Sequence, residues 1–163
     1  MAFRSVNFVM NDKDIELMRK ALSLANEAAE RGEIPVGALV VNSKGEIISS
    51  AYNLRENEKK ATAHAEMLAI EQACTALGGW RLNGCTLYVT LEPCPMCAGA
   101  LVNSRIERVV FGAYDMQAGC CGSVVNFNAY PFNHAFLVTG GVLEEECREV
   151  LIDFFKNKRK DNI

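Results

Sequence analysis

Ile15, Met18, Leu22, Ala25 and Ala29 recur at the three-and-four spacing of one helix face, behind Asn11 or Asp12 as a cap, and the pattern stops at Gly32. It predicts an amphipathic helix over 12–31. Val36–Val41 and Glu46–Tyr52 are β-rich, and Asn42-Ser43-Lys44-Gly45 between them is a hairpin signal. A second helix is expected over 63–77, closed by Gly78-Gly79, followed by a strand at Thr86–Leu91, a short helix at Pro95–Ser104 and a strand at Arg108–Gly112. The stretch Ala118–Gly122 opens a segment of no clear period. Ala135–Thr139 then reads as a strand, and Leu143–Phe155 as a final helix built on Leu143, Cys147, Val150, Leu151 and Phe154. Helix, hairpin, then alternating helix and strand describe an α/β protein with a central sheet and helices on both faces. The first hairpin is antiparallel, while the strand–helix–strand passage from Thr86 to Gly112 requires a right-handed crossover between parallel strands, so the sheet is mixed.

Composition changes this picture little. The 163 residues fit a single domain spanning 1–163, with 1–11 expected as a flexible tail. No repeat or Pro/Ser-rich linker divides the chain. The longest apolar run, Ile34 to Val41, contains Pro35 and Gly37 and falls far short of the ~20 residues of a membrane span, so no membrane association is expected. The N-terminal segment lacks the apolar stretch and cleavage site of a secretory signal. Seven cysteines without such a signal point to reduced thiols in a cytoplasmic protein, serving as ligands, catalysts or core filler. The net charge of −3 makes the chain no general nucleic-acid sponge. Its distribution is polar, however: Glu144, Glu145 and Glu146 precede Lys156, Lys158, Arg159 and Lys160. That order suits a helix macrodipole, and the basic end can also meet phosphates.

The chemistry lies in two short motifs. Thr62-Ala63-His64-Ala65-Glu66 stands at the start of a predicted helix, and Pro93-Cys94-Pro95-Met96-Cys97 at the start of another. Alone, His64 reads as a cap or core residue, and a C-x-x-C reads as a redox pair or half a zinc site. Pro95 suits the first helical position, with Cys94 at the cap and Cys97 one turn on, so both sulfurs lie where the helix dipole favours thiolate. Two thiolates and one neutral imidazole make three ligands for zinc and leave a fourth tetrahedral position to water, the catalytic pattern. A closed structural site would draw a fourth ligand from His134 or the adjacent Cys120 and Cys121, which otherwise read as loop fillers. Glu66, two residues from His64 on a helix, points away from a shared ligand position and is placed instead to take a proton from water. A redox pair or a zinc-stabilised binding module would leave Glu66 idle.

His-Ala-Glu followed by Pro-Cys-x-x-Cys resembles the zinc-dependent cytidine and deoxycytidylate deaminase superfamily. Further matches at Ile34-Pro35-Val36-Gly37-Ala38, Tyr52-Asn53, Leu91–Ala100, Ser104-Arg105-Ile106, Phe111-Gly112-Ala113, Asn133-His134 and Asp153-Phe154-Phe155 are similar to the bacterial tRNA-specific adenosine deaminases. That resemblance spans about Ile15 to Arg159. It implies a three-layer α/β/α, cytidine-deaminase-like fold with a five-stranded sheet, and a homodimer. It implies hydrolysis of the wobble adenosine of a tRNA anticodon stem-loop to inosine. Carried over by position, His64, Cys94 and Cys97 hold one zinc ion per subunit and Glu66 shuttles protons. Asn53 contacts the base, Val36 and the Ala65 backbone line its pocket, and Asn133 touches anticodon-loop nucleotides. Without the resemblance, Asn53 reads as a turn residue and Val36 as strand core. Arg55, Arg81 and Arg105 are further candidates for RNA contact. One position departs from the pattern, since Gln117 stands where the family usually has Lys. A zinc deaminase of a free base or nucleoside, guanine above all, is the alternative function.

Overall fold

The computed structural model describes residues 10–160. Most of the expected N-terminal tail lies outside that range, and Asn11 belongs to the first helix as its cap. The elements run α1 (Asp12–Glu30), β1 (Gly37–Val41), β2 (Ile47–Tyr52), α2 (Arg55–Glu58), α3 (Ala65–Leu77), β3 (Thr86–Leu91), α4 (Pro95–Asn103), β4 (Arg108–Ala113), β5 (Leu137–Thr139) and α5 (Glu144–Lys160). A 3₁₀ turn at Phe127–Ala129 precedes β5. The sheet order is β2-β1-β3-β4-β5. β1 is antiparallel to both β2 and β3, while β3, β4 and β5 run parallel. The mixed, helix-flanked sheet expected from the alternation of elements is the one found.

Two separate clusters make the core. Leu17, Met18 and Ala21 of α1 meet Leu39, Val41, Tyr88 and Val110, with Cys147 of α5 on the same face. Ala65, Ala69 and Ile70 of α3 and Leu101 of α4 meet Ala38, Val40, Leu87, Val89 and Phe111 on the other face. β1 is buried at all five positions, which is why Gly-Ala-Leu-Val-Val reads as a continuous apolar run and not as an alternation. Gly37 has no room for a side chain: a Cβ there would overlap the Ala21 carbonyl of α1. Ala21 and Ala25 are small for the same reason, so α1 lies directly on the strand.

Sequence periodicity misses two things. α2 is a single turn with no buried residue, and nothing apolar marks it. Its backbone is instead organised by Glu33, fully buried, whose carboxylate accepts from the Glu56 and Asn57 amides at 3.1 and 2.7 Å and from Asn57 Nδ2 at 2.8 Å. α5 is longer than the apolar stripe suggests and reaches Lys160, but only Cys147 of that stripe is buried; Val150, Leu151 and Phe154 stay half-buried. Glu144–Glu146 occupy its first turn and Lys158–Lys160 its last, the polarity a helix dipole favours.

One buried ion pair ties α1 to the sheet. Asp14 accepts from Arg108 Nη1 and Nη2 at 3.0 and 2.8 Å, and from the Tyr88 hydroxyl at 2.8 Å. Arg108 Nη2 also donates to Thr139 Oγ1 at 2.9 Å, so β4, β5 and α1 share the network. Burial pushes the Asp14 carboxyl up, but the donors from Arg108, Tyr88 and Asn11 outweigh it and leave the group below its ordinary value. A depressed carboxylate stabilises the fold above its unfolded pKa and loses that contribution as pH falls through its folded pKa. Asp14→Asn should therefore cost about 3–5 kcal/mol at pH 7, the range for breaking a buried pair. It should also flatten the acid limb of the stability curve, which urea denaturation at neutral and acid pH reads directly.

Candidate active site

The carboxyl end of β3 runs into Glu92-Pro93 and then into the N-terminus of α4. The N-terminus of α3 faces it. Cys94 caps α4 with Pro95 at the first helical position, and Cys97 follows one turn on. His64 caps α3 in an extended conformation (φ −71°, ψ 151°). His64 is thus outside the helix proper, so its ring turns toward α4 while Glu66 occupies the first turn. His64 Nδ1 lies 3.7 Å from both Cys94 Sγ and Cys97 Sγ, and all three donor atoms lie within 4.8 Å of one another.

These separations suit zinc. A tetrahedral ion with nitrogen at ~2.0–2.1 Å and sulfur at ~2.3 Å sets those two atoms about 3.6 Å apart. The electrostatics agree. Cys94 is held down to about 4, first by the Cys97 thiol that donates to it and also by His64. Cys97, whose thiol hydrogen-bonds to the Cys94 sulfur and is buried, is pushed up. The pair by itself thus carries one thiolate, and a divalent cation supplies the charge that lets both sulfurs be anionic. Among the described residues no other three His, Cys, Asp or Glu donors gather in this way. His134, proposed as a fourth ligand, has Nε2 2.6 Å from the Ile106 carbonyl oxygen. The Cys120 thiol donates to the Ala118 carbonyl at 3.4 Å, and Cys121 offers its backbone amide to Glu92. A site closed by a fourth protein ligand is not what this arrangement builds.

Glu66 is 4% exposed and sits beside the cluster. Burial raises its carboxyl to about 7, with the Cys94 charge adding to the effect. A carboxyl near neutrality both takes and returns protons at little cost. The cavity it faces is about 180 Å³, with Ile34, Val36, Asn53, Ala65, Leu91 and Asp115 on its walls. Val36 and Ala65 are buried, as strand core and helix start, and also form wall. Asn53 is buried too: its Nδ2 donates to the Ile34 carbonyl at 3.3 Å and its Oδ1 accepts from the Arg55 amide at 3.2 Å. Its carboxamide is therefore held at a fixed angle on the wall.

Asn133 does not join this group. It is exposed at the opposite end of the sheet, where its Oδ1 accepts from Arg105 Nη1 at 3.4 Å. The structure adds Glu92, which periodicity cannot find. Its buried carboxylate accepts from the Asp115, Cys121 and Ser123 amides at 3.0, 3.0 and 3.1 Å, and from the Ser123 hydroxyl. Gly119 packs so closely on it that a Cβ would overlap the carboxylate. Glu92 thus holds the irregular loop after β4 against the cavity. The only sequence signal is a carboxylate directly after a strand and two residues before the first cysteine of the motif. Gln117, where Lys was expected, is exposed on that loop with its amide bonded to Asp115 Oδ1 at 2.9 Å.

Metal analysis tests the ligand set. The purified chain should hold one zinc; Cys94→Ser or Cys97→Ser should lose most of it, while Cys120→Ser and Cys121→Ser should keep it. Retention in the first pair, or loss in the second, contradicts the assignment.

Comparison with known proteins agrees with this geometry. Residues 11–113 match the model of the cytidine and deoxycytidylate deaminase zinc-binding region. A tRNA-specific adenosine deaminase of Bacillus subtilis is 57% identical over 88% of this chain and 89% of its own. A solved structure from work on A-to-I editing by tRNA:A34 deaminases superposes with a TM-score of 0.81 at 44% identity, over 83% of this chain and 99% of that one. A guanine deaminase structure from the same Bacillus species reaches a TM-score of 0.59 at 32% identity, over 72% of this chain and 84% of its own. With its zinc-binding motif, its sheet and most of its length shared in this way, the chain belongs to the cytidine and deoxycytidylate deaminase family, in the branch of the tRNA-specific adenosine deaminases.

Proposed function

We infer that this protein hydrolyses the wobble adenosine of a tRNA anticodon loop to inosine and ammonia, with the whole chain acting as one domain. The observation that carries the reading is a buried carboxylate, Glu66, directly beside a three-donor metal cluster and on the wall of a small, largely apolar cavity. The identity to tRNA-specific adenosine deaminases, well above that to the guanine deaminase, favours the RNA substrate over the free base. A reactive base in a duplex or stacked loop must be turned out into such a pocket before its amine can be replaced.

When bound, zinc supplies Lewis acidity that brings the pKa of water down toward ~7. The remaining work falls to the chain. His64, Cys94 and Cys97 fix the ion at the meeting of two helix N-termini, where the dipoles favour their anionic partners. Glu66 accepts a proton from the attacking water and delivers it to N1 of the purine. It then takes the proton of the hydroxyl newly added at the purine carbon and passes it to the departing amine, so that the carbon becomes a carbonyl, ammonia leaves and the carboxylate is restored. Asn53, tethered through Ile34 and Arg55, orients the base by hydrogen bonds to its edge. Val36, Ile34 and Leu91 exclude bulk water around it. Asn133 and the basic end of α5 would meet nucleotides beyond the reacting one.

A homodimer is part of this reading: apolar residues such as Val124, Tyr130 and Phe132 are half or more exposed and offer surface for a second copy. No helix among the described residues is long and apolar enough to cross a membrane, and work on tRNA suits the cytoplasm.

Glu66→Gln should keep zinc content and lower deamination by about 10²–10⁴-fold, the usual contribution of general acid–base catalysis. Turnover close to wild type in that variant would remove Glu66 from the mechanism. An anticodon stem-loop RNA, free guanine, adenosine and cytidine offered side by side should give inosine in the RNA alone; xanthine from guanine would overturn the substrate assignment. Sedimentation should give twice the chain mass.

A further inference from the structure

At the end of the sheet opposite the cavity, two arginines share one exposed indole. Trp80 follows α3 and is 51% exposed. The Arg81 guanidinium carbon lies 4.0 Å from its ring centroid and that of Arg105 lies 5.8 Å away. Both are within cation–π range. Neither guanidinium is ion-paired with a carboxylate among the described residues. Arg105 Nη1 donates to the Val102 carbonyl at 2.7 Å and to Asn133 Oδ1 at 3.4 Å, which fixes the planar group.

The backbone at Arg105 carries an independent signal. It follows Ser104, the C-cap of α4, and has a left-handed φ of +61°. Helices that end in this geometry ordinarily place glycine there, as α3 does with Gly78 at φ +70°. An arginine at such a position bears a conformational cost that glycine avoids, offset in part by the bond its guanidinium makes to the Val102 carbonyl in the last turn of α4.

Stacking on an indole holds a guanidinium without neutralising it. Its outer N–H groups stay free for phosphate oxygens, and the open part of the indole can take an unstacked base. Two guanidiniums fixed on one aromatic surface, neither ion-paired with a carboxylate among the described residues, suit a polyanion better than an apolar protein face. We propose that Trp80, Arg81 and Arg105 form a second RNA-contact surface that grips the ribose–phosphate backbone away from the reacting nucleotide. α3, with 13 residues, separates this surface from His64 by about 20 Å at 1.5 Å per residue. Contacts so far from the reacting base position the RNA without reading it. Asn133, bonded to Arg105, belongs to this surface.

The inference rests on the tRNA reading, and one experiment separates the two. Binding of an anticodon stem-loop RNA to the zinc-loaded full chain is followed between about 50 and 200 mM salt. The proteins are wild type, Arg81→Gln, Arg105→Gly, the pair together, and Lys20→Gln as a charge control on α1. The pair should bind about tenfold more weakly at the low-salt end, and its log Kd against log salt slope should fall by about 1.4–1.8, two phosphate contacts' worth. Arg105→Gly should keep its zinc and a melting midpoint close to that of wild type, because the relieved left-handed backbone offsets the lost bonds to Val102 and Asn133. Lys20→Gln should bind as wild type does. An unchanged slope in the pair overturns the proposal, as does a loss of affinity that tracks a loss of zinc or of thermal stability. A fall in sedimenting mass alongside the loss also overturns it, by assigning the surface to a protein partner. Should Arg105→Gly fail to fold, Arg81→Gln and Trp80→Ala decide the matter from exposed positions. If wild type itself neither binds nor deaminates the RNA, the tRNA reading falls; if wild type does both and the pair matches it, only this inference does.

Discussion

Two helix N-termini aimed at one point are the constraint on which the rest depends. α3 and α4 both begin beside the carboxyl end of β3, and their unpaired amides and dipoles make that spot favourable for anionic sulfur. A thiolate and a carboxylate would not otherwise sit together in a buried site. Cys94 is held down to about 4 there, while Glu66, one step deeper, is pushed by burial up to about 7. Like-charged groups a few ångströms apart thus differ in protonation because their surroundings differ, and a cation completes the balance.

Buried carboxylates also organise what surrounds the cluster. Glu33 gathers amides from the start of α2 and so fixes the turn from Asn53 to Arg55. Glu92 gathers amides from the loop after β4 and so fixes Asp115 and Ala118 on the opposite wall. Both segments lack regular ladders. Each buried carboxylate takes the place of a sheet partner, accepting the backbone donors that irregular chain leaves over. The cavity is consequently walled by loops yet has definite shape, with the rigid sheet beneath it. Positioning chemistry on irregular segments held this way accords with the general placement of ligands outside the carboxyl ends of parallel strands.

The two ends of the sheet divide the labour. The catalytic end is a small recessed cavity whose apolar walls of Ile34, Val36 and Leu91 stand beside Glu66 and the metal cluster. The opposite end is open, with an exposed indole and two guanidiniums over it. The half-buried stripe of α5 adds surface that the single chain leaves uncovered. A substrate far larger than its reacting base needs such separation, because affinity can then be built away from the pocket without altering its fit.

Much of this was legible in the sequence. His64, Glu66, Cys94 and Cys97 stood out because ligand chemistry demands particular residue types at tight local spacing, and Pro95 announced the helix start that aligns the sulfurs. The order of elements was equally plain, since β1 and α1 carry apolar patterns strong enough to specify their faces. The tertiary structure alone decided the rest. It set Glu33 and Glu92 as loop anchors, made α2 without an apolar signal, and carried Asn133 away from the pocket to Arg105. Local pattern records which face of an element is buried, but a hydrogen bond between residues some 20 to 30 positions apart leaves no period behind. The chemistry was therefore written in short motifs, whereas the shape of the space around it came from long-range contacts that only the folded chain can make.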